Sequence, residues 1–361
     1  MKVIRVLQLI DSLSVGGAEM LAVNLANVLN EQEHIDSYIC ATRNEGFLHH
    51  KIKDKSKYIF LNRKRTLDLR AVFNLRKFIK TNKIGLLHAH SSSYFVAFCV
   101  KLTYPRLKIL WHDHYGQSEY LSERKIQPLR FISNFFSAVV VVNTNLLEWS
   151  RANLKVSNVS FLNNFVYLDN NDGVTNLKGV EGKRIVHLAA LRPQKDHLNL
   201  LKAFCKLTEE NSDWTLHLIG EGVNDDYEKS IHQYVKSKKL QENVFFYGAC
   251  ADVKFILKQA DLGVLSSNSE GLPISLLEYA ISGLPIISTN VGECKEIINK
   301  VNSSFLVAKS NSYALFKALE NFIHLSVEEK RFYGLKFRNL IMKDYSHEKF
   351  VKQIIKIFRT C

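Results

Sequence analysis

Short apolar segments alternate with amphipathic segments along most of this 361-residue chain. Residues 3–10 form an almost continuous apolar run, which is typical of a parallel strand that is covered on both faces. Residues 18–29 follow with apolar side chains spaced by three and four, and this spacing predicts a helix. The same strand-then-helix unit recurs through the chain, and such repetition predicts a doubly wound parallel sheet.

A polar, glycine-bearing stretch at residues 169–182 interrupts the alternation, which then starts again. Because 361 residues exceed what a single core normally serves, we predict two domains. The predicted boundaries are 1–168 for the first domain, 169–182 for a linker, 183–343 for the second domain and 344–361 for a last helix. The expected fold class is α/β, with two doubly wound, Rossmann-like domains facing each other across a cleft, where such sheets bind ligands.

Two glutamates frame the most informative segment, residues 270–278. An apolar run at 262–265 precedes it and a helical pattern follows, so Glu270 is expected where a strand ends and Glu278 inside the next helix. The start of a helix offers unpaired backbone N–H groups and the positive end of a dipole, which together suit an anion. Two carboxylates beside an anion site indicate a ligand that carries both hydroxyls and phosphate. The alternative is that both are solvated surface charges.

Two further loops follow predicted strands. Gly16 and Gly17 come after the first strand, and such glycines allow a ligand to approach the backbone, although a plain tight turn is the alternative. Arg192 and Lys195 follow the first strand of the second domain and suit a diphosphate, although both are also common in solvated loops. By its position, this loop should face the same cleft as Glu270. Since the sequence contains no Asp-x-Asp pair, we expect protein cations and helix dipoles, and no metal, to neutralise a diphosphate.

Four histidines recur near the ends of predicted strands, as His88-Ala-His90 and His112-Asp-His114. Two His-x-His pairs are compatible with a metal site, which makes a metal-dependent hydrolase an alternative function. The same side chains could instead line the cleft as neutral hydrogen-bonding groups or have a purely structural role. The sequence leaves these three interpretations open.

Positive charge is concentrated in residues 51–83, where twelve Lys and Arg residues face two acidic residues. Such a region attracts anionic partners. It includes a basic amphipathic helix predicted at 69–79, which is compatible with an anionic membrane surface. The apolar side chains of this helix are expected largely on one side: Leu69, Val72, Phe73, Leu75, Phe78 and Ile79. Nucleic acid is not expected, since the basic stretch lacks an obvious recognition module.

The six cysteines include no Cys-x-x-Cys pair, and neither a signal peptide nor an apolar run of about 18–20 residues is visible. We therefore expect a reducing compartment and a cytoplasmic protein, with a peripheral position at the inner membrane face as an alternative. The balance of 46% hydrophobic and 23% charged residues excludes a disordered chain.

Together these stretches resemble the retaining, two-domain (GT-B) glycosyltransferases of family 4 over nearly the whole chain. The most specific part is 270–278, which resembles the family's Glu-x7-Glu motif. Gly16 and Gly17 resemble its first glycine loop, and Arg192 with Lys195 resembles its diphosphate-binding pair. The last helix resembles the one that crosses back to the N-terminal, acceptor-side domain. Glu293 and Ser304 depart from the pattern, which has glycine at both positions.

The resemblance also implies roles at the donor site. Glu278 would accept the ribose hydroxyls of a nucleotide sugar, and Glu270 would lie against the transferred sugar. His114 best matches the histidine that meets this sugar, with His112 as the alternative. The backbone of the next five residues would bind sugar and phosphate; they are Gly271, Leu272, Pro273, Ile274 and Ser275.

In this family, retention of configuration is attributed to same-face attack, so neither a protein nucleophile nor a cofactor is expected. The expected function is transfer of a sugar from a nucleotide-diphosphate sugar to a glycan or lipid-linked acceptor, in the synthesis of a cell-surface polysaccharide. Besides the hydrolase, a non-catalytic nucleotide-sugar-binding protein is an alternative.

Overall fold

The computed structural model describes residues 3–116, 120–167 and 173–361. Two compact units divide the chain. The N-terminal unit comprises Met1–Asn164 together with His347–Cys361, and the C-terminal unit comprises Phe165–Ser346. Each unit is built on its own parallel sheet with its own apolar core, which confirms the predicted pair of doubly wound α/β domains.

The N-terminal sheet has seven strands in the order β3-β2-β1-β4-β5-β6-β7. The strands are β1 Ile4–Ser12, β2 Ile35–Asn44, β3 Tyr58–Phe60, β4 Leu86–His90, β5 Lys108–Asp113, β6 Ala138–Val141 and β7 Val159–Phe161. The helices between them are α1 Gly17–Leu29, α2 Leu69–Thr81, α3 Tyr94–Thr103, α4 Leu129–Ile132 and α5 Thr144–Asn153. The winding direction reverses between β1 and β4, and in open α/β sheets ligands bind at this reversal, beyond the carboxyl ends of the strands.

The C-terminal sheet has six strands in the order β10-β9-β8-β11-β12-β13. The strands are β8 Arg184–Leu188, β9 Thr215–Ile219, β10 Val244–Phe246, β11 Leu262–Leu265, β12 Ile286–Thr289 and β13 Leu306–Val307. The helices are α6 His197–Thr208, α7 Asp226–Ser237, α8 Val253–Lys258, α9 Ile274–Ile281, α10 Cys294–Asn299, α11 Ser312–Ile323 and α12 Val327–Asp344. Here the winding reverses between β8 and β11, so the loops after these two strands meet at the sheet edge.

A tyrosine fixes α9 against this reversal point. The Tyr279 ring is fully buried over Gly263 of β11, where an added Cβ would lie 2.4 Å from the ring. The Tyr279 hydroxyl accepts a hydrogen bond from the backbone N–H of Leu188, at 2.6 Å. Because one side chain reaches both β8 and β11, the start of α9 is held beside the loops that leave these strands.

The last helix, α13 His347–Thr360, returns to the N-terminal unit, as predicted. Its buried face carries Phe350, Val351, Ile354 and Phe358. At its end, the Cys361 carbonyl accepts a hydrogen bond from Lys108 Nζ at 2.5 Å, which ties the end of the chain to β5.

Residues 169–172 of the predicted linker lie outside the described residues. The part that the structure describes is held against the C-terminal unit, since the Asp252 carboxylate accepts the backbone N–H groups of Val174 and Thr175, both at 2.8 Å. None of the helices in the described ranges combines the length and the apolar character that crossing a membrane requires.

Candidate functional site

Glu270 lies in the loop after β11, where its side chain is buried. Its Oε1 atom accepts hydrogen bonds from Lys195 Nζ at 2.5 Å and from Ser267 Oγ at 2.6 Å. The sequence predicted that the Lys195 loop and the Glu270 loop would face one ligand. The structure brings the two side chains into direct contact at the carboxyl ends of β8 and β11.

The backbones of these two loops are also joined. Ser266 Oγ donates to the carbonyl oxygen of Lys195 at 2.8 Å, and the N–H of Asn268 donates to the carbonyl oxygen of Gln194 at 2.8 Å. From β12, Thr289 Oγ1 donates to the carbonyl oxygen of Ser267 at 2.6 Å. The polar stretch 266–269 therefore fixes the position of Glu270, a role that the sequence alone does not indicate.

Gly292 packs directly under Glu270. Its φ of +47° is a left-handed conformation, and an added Cβ would lie 2.3 Å from the carbonyl oxygens of both Glu270 and Gly271. The following Glu293 has an ordinary helical φ of −76°, and its N–H donates to the Gly271 carbonyl at 2.9 Å. This backbone geometry explains why position 292 requires glycine here, whereas position 293 accommodates glutamate.

The helix after Glu270 begins at Ile274, with Pro273 at the N-cap position. A proline side chain cannot accept a hydrogen bond, and the first turn contains no acidic residue. The start of α9 therefore keeps the features that suit an anion. Glu278 is partly exposed and lies four residues after Ile274, about one helical turn into α9, which places it inside the helix as predicted.

Arg192 is exposed and opens a short 3-10 turn at Pro193–Lys195. Asp196 then adopts a left-handed φ of +49°, and its carboxylate accepts the N–H of Asn199 at 3.3 Å to cap α6. The cap ends the loop abruptly, so Lys195 stays at the sheet edge, where it reaches Glu270.

In the N-terminal unit, Gly16 occupies the N-cap position of α1 with an extended φ of −167°. An added Cβ at Gly16 would lie 2.3 Å from a carboxylate oxygen of Glu19, the flexible end of a side chain that can move aside, so neither the backbone nor this contact requires glycine here. Gly17 opens the helix and is exposed.

Asp11 at the end of β1 organises the reversal point of the N-terminal sheet, although no sequence pattern singles it out. Its carboxylate accepts hydrogen bonds from Thr42 Oγ1 at 2.5 Å, Arg63 Nη2 at 2.9 Å and Ser92 Oγ at 2.8 Å. Arg63 is buried and Ser92 follows β4, so the contacts join the ends of neighbouring strands.

The four histidines lie on two adjacent strands, but only two of them are at strand ends. His88 and His112 lie inside β4 and β5, and this corrects the prediction, because the pairing of these strands continues through His90 and Asp113. Burial lowers the pKa of His88 and of His114 to about 3 and holds the pKa values of His90 and His112 well below 6.5. All four are therefore neutral near pH 7.

Ring nitrogens of His88, His90 and His112 lie within 4.8 Å of one another, so these residues could hold a metal ion. A hydrolytic metal, however, keeps an open position for water and substrate. These three side chains are fully buried, and the rings of Phe350 and Phe358 from α13 pack against His112 and His88. The arrangement does not support a metal-dependent hydrolase.

Sequence profiles of two families match the chain. The profile described as "Glycosyltransferase Family 4" matches residues 15–170, and the profile described as "Glycosyl transferases group 1" matches residues 172–334. The chain belongs to the family 4 GT-B glycosyltransferases. The resemblance seen in the sequence motifs is thereby confirmed.

Known proteins resemble this glycosyltransferase over most of its length. An uncharacterized glycosyltransferase of Haemophilus influenzae is 24% identical over 94% of this chain and 95% of the relative. The O-antigen biosynthesis glycosyltransferase WbnH of Escherichia coli is 22% identical over 79% of this chain and 80% of its own. The crystal structure of Anabaena Alr3699/HepE in complex with UDP-glucose matches 99% of this chain and 100% of its own with a TM-score of 0.79 at 16% identity.

Of the two candidate histidines of this glycosyltransferase, His112 is fully buried and His114 is partly exposed. The intervening Asp113 forms a bidentate pair with Arg124, at 2.6 and 3.0 Å. The Arg124 guanidinium lies 4.3 Å from the ring centroids of both Tyr115 and Trp149. The ion pair of Asp113 and Arg124 holds the backbone beside His114. No local sequence pattern indicates this pair, because its two residues are eleven positions apart.

The basic helix α2 differs from its predicted pattern. Val72, Leu75 and Ile79 are buried as expected, whereas Leu69 and Phe73 are 61% and 54% exposed. The exposed side of this glycosyltransferase helix therefore combines apolar side chains with basic ones. Exposed side chains just before the helix extend this side. We call the combined set the α2 surface, and it consists of Lys64, Arg65, Leu67, Leu69, Arg70, Phe73 and Lys77.

Proposed function

We propose that the chain is a retaining glycosyltransferase that moves a sugar from a nucleotide-diphosphate sugar to a glycan or lipid-linked acceptor in cell-surface polysaccharide synthesis. The contact of Lys195 and Ser267 with Glu270, beside the start of α9, carries the proposal. The UDP-glucose complex of the structural neighbour supports the donor class, and the O-antigen relative supports the pathway.

In this proposal the diphosphate is bound by the N-terminus of α9 and by two cationic side chains, Arg192 and Lys195. Arg192 is exposed and supplies a planar fork, while Lys195 is only partly buried and supplies a mobile point charge. The backbone N–H groups at the start of α9 add donors that need no reorganisation when charge develops. Glu278, one turn further on, accepts the ribose hydroxyls. The site is metal-independent, since these groups provide the neutralisation that a divalent ion supplies elsewhere.

Glu270 acts on the transferred sugar. When the diphosphate draws Lys195 away, Ser267 still holds one carboxylate oxygen of Glu270 and so keeps the group in place. The negative carboxylate accepts sugar hydroxyls and stabilises positive charge at the anomeric carbon. His114, neutral because burial lowers its pKa, meets the sugar as a hydrogen-bonding group and not as an acid.

The bond between the anomeric carbon and the diphosphate oxygen breaks, and its electron pair leaves with the diphosphate. The acceptor oxygen forms the new bond on the same face, and its proton passes to an oxygen of the leaving phosphate. Configuration is retained without a covalent protein intermediate.

The acceptor side of the proposal concerns the α2 surface. Exposed Leu69 and Phe73 beside Arg70 and Lys77 suit the anionic inner face of a membrane, where a lipid-linked acceptor resides.

The test is a panel of UDP-glucose, UDP-N-acetylglucosamine and GDP-mannose, measured by thermal shift with and without EDTA. A bound donor at 100 times its Kd should add about 2.7 kcal/mol of stability. The anomeric configuration of the product is then determined by NMR. An inverted product, a shift that EDTA abolishes, or the absence of a shift with every donor would contradict the proposal.

A further inference from the structure

We propose that Gln8 and His90 are positioning residues that hold His114 as one tautomer, with the proton on Nε2 and an unprotonated Nδ1 presented to the donor sugar. The inference rests on the proposed function, because it assigns His114 to the sugar. It concerns a buried row of polar side chains that crosses the N-terminal sheet.

The row runs over four neighbouring strands. Ser37 on β2 accepts a hydrogen bond from Gln8 Nε2 on β1 at 3.5 Å, and Gln8 Oε1 lies 3.0 Å from His90 Nε2 on β4. His90 Nδ1 lies 3.1 Å from Nε2 of His114, directly after β5. Ser37, Gln8 and His90 are buried, and His114 is the one member that is partly exposed.

The direction of the hydrogen bonds follows from the chemistry of neutral imidazole. Because Gln8 Nε2 points to Ser37, its carbonyl oxygen faces His90 and must accept a proton from His90 Nε2. A neutral His90 then has an unprotonated Nδ1, which accepts the proton of His114 Nε2. His114 is thus left with an acceptor at Nδ1, suited to a hydroxyl group that donates.

His88 provides an internal comparison. It precedes His90 by two residues on β4 and is equally buried, and its ring stacks on that of His112 at 5.2 Å. Yet within the described part of the chain neither ring nitrogen of His88 or of His112 has a hydrogen-bond partner. The row of hydrogen bonds therefore includes His90 and excludes His88. Substitutions at His88 can thus serve as matched controls for substitutions at His90.

The first test is direct and needs no variant. Long-range 15N–1H NMR of the wild-type protein reports the tautomer of each histidine. We expect His90 and His114 both to carry the proton on Nε2. A proton on Nδ1 of His114 would overturn the inference.

The second test compares His90→Leu with His88→Leu, using nucleoside diphosphate release from whichever donor of the panel gives the highest wild-type rate. Misorientation of a contacting group typically costs about 100-fold, so His90→Leu should lower kcat by roughly 10- to 100-fold while KM for the donor and the affinity for UDP stay nearly constant. His88→Leu should change kcat by less than about threefold. Gln8→Met should lower kcat in the same direction as His90→Leu and leave His114 with a mixture of tautomers.

Equal losses in the His90 and His88 variants, or no loss in either, would overturn the inference. So would stoichiometric zinc in the purified protein, because His90 would then be a metal ligand. If the Glu270→Gln variant releases nucleoside diphosphate at the wild-type rate, the proposed function itself is contradicted. The failure of the inference and the failure of the proposed function can therefore be told apart. Thermal denaturation identifies a variant that has failed to fold, and the wild-type NMR result then decides.

Discussion

The ammonium group of Lys195 lies 2.5 Å from a carboxylate oxygen of Glu270, which Ser267 also contacts. Lys195 lies in the loop after β8 and Glu270 in the loop after the neighbouring strand β11. The family resemblance assigns Lys195 to the diphosphate and Glu270 to the sugar of one donor. Their pairing means that each neutralises the other before a donor arrives. Under the proposed function, a diphosphate that attracts Lys195 would leave Glu270 negative at the position of the sugar.

Lys195→Met should weaken the binding of UDP by about 10- to 100-fold, because a hydrogen bond to a charged group contributes about 1.5–3 kcal/mol. The measurement is titration calorimetry with UDP. Lys202→Met is the matched control, since Lys202 is exposed on the neighbouring α6. Equal UDP affinity in the wild type and in Lys195→Met would argue against a phosphate role.

Gly292→Ala should destabilise the C-terminal unit and weaken donor binding, because a Cβ would meet the carbonyl oxygens of Glu270 and Gly271 in a left-handed backbone. We expect a loss of about 1–3 kcal/mol in the free energy of unfolding. Gly182→Ala separates strain from contact, since Gly182 has a φ of +86° and nothing within 4 Å of an added Cβ. If both variants lose equal stability and keep equal donor affinity, packing under Glu270 is unimportant.

The free energy of unfolding should fall as the pH is lowered below 6.5. The unfolded chain protonates its histidines near pH 6.5, whereas burial keeps His88 and His114 neutral in the folded protein down to about pH 3. The folded pKa is the lower one, so this stability is present above pH 6.5 and lost toward pH 3. Urea denaturation at several pH values measures it.

Replacing one buried histidine tests that account. His88→Phe should reduce the slope of stability against pH by up to about 1.4 kcal/mol per pH unit, the value for one proton. An unchanged slope in His88→Phe would show that His88 is protonated in the folded state.

Leu69→Ser combined with Phe73→Ser should reduce sedimentation with phosphatidylglycerol vesicles by about tenfold or more, because burial of a large apolar side chain contributes about 1.5–3 kcal/mol. Val327→Ser is the control, since Val327 is 76% exposed and lies outside the α2 surface. Added salt should weaken binding further. If the double variant sediments as the wild type does, the α2 surface is not a membrane contact.

Patterns with a strong local signal could be predicted from the sequence. The strand-then-helix alternation predicted both sheets, and the position of the Lys195 loop after a strand predicted that it faces the same cleft as Glu270. Ser267 and Thr289 could not be identified, since serine and threonine in loops are usually solvated and their contacts join residues distant in sequence. The contact of Arg124 with Asp113 could not be predicted either, because it depends on the path of the loop between them.

The histidines show a different limit. Their spacing placed the four histidines near strand ends, but it could not distinguish a hydrogen-bonded His90 from a neighbour without hydrogen bonds. Likewise, helical spacing grouped Leu69 and Phe73 with the buried side chains of α2, although both are exposed. Spacing alone does not tell which apolar positions at the edge of a helical face contact the sheet.

Glu270→Gln tests the central claim most directly, with Glu242→Gln as the control because Glu242 is exposed in the same unit. Glutamine keeps the size of the side chain and can still accept the Ser267 hydrogen bond, so folding and UDP binding should persist. Sugar transfer from the preferred donor should fall by about 100- to 1,000-fold, the cost of removing one electrostatic contact in a transition state. Transfer at the wild-type rate in Glu270→Gln would contradict the account.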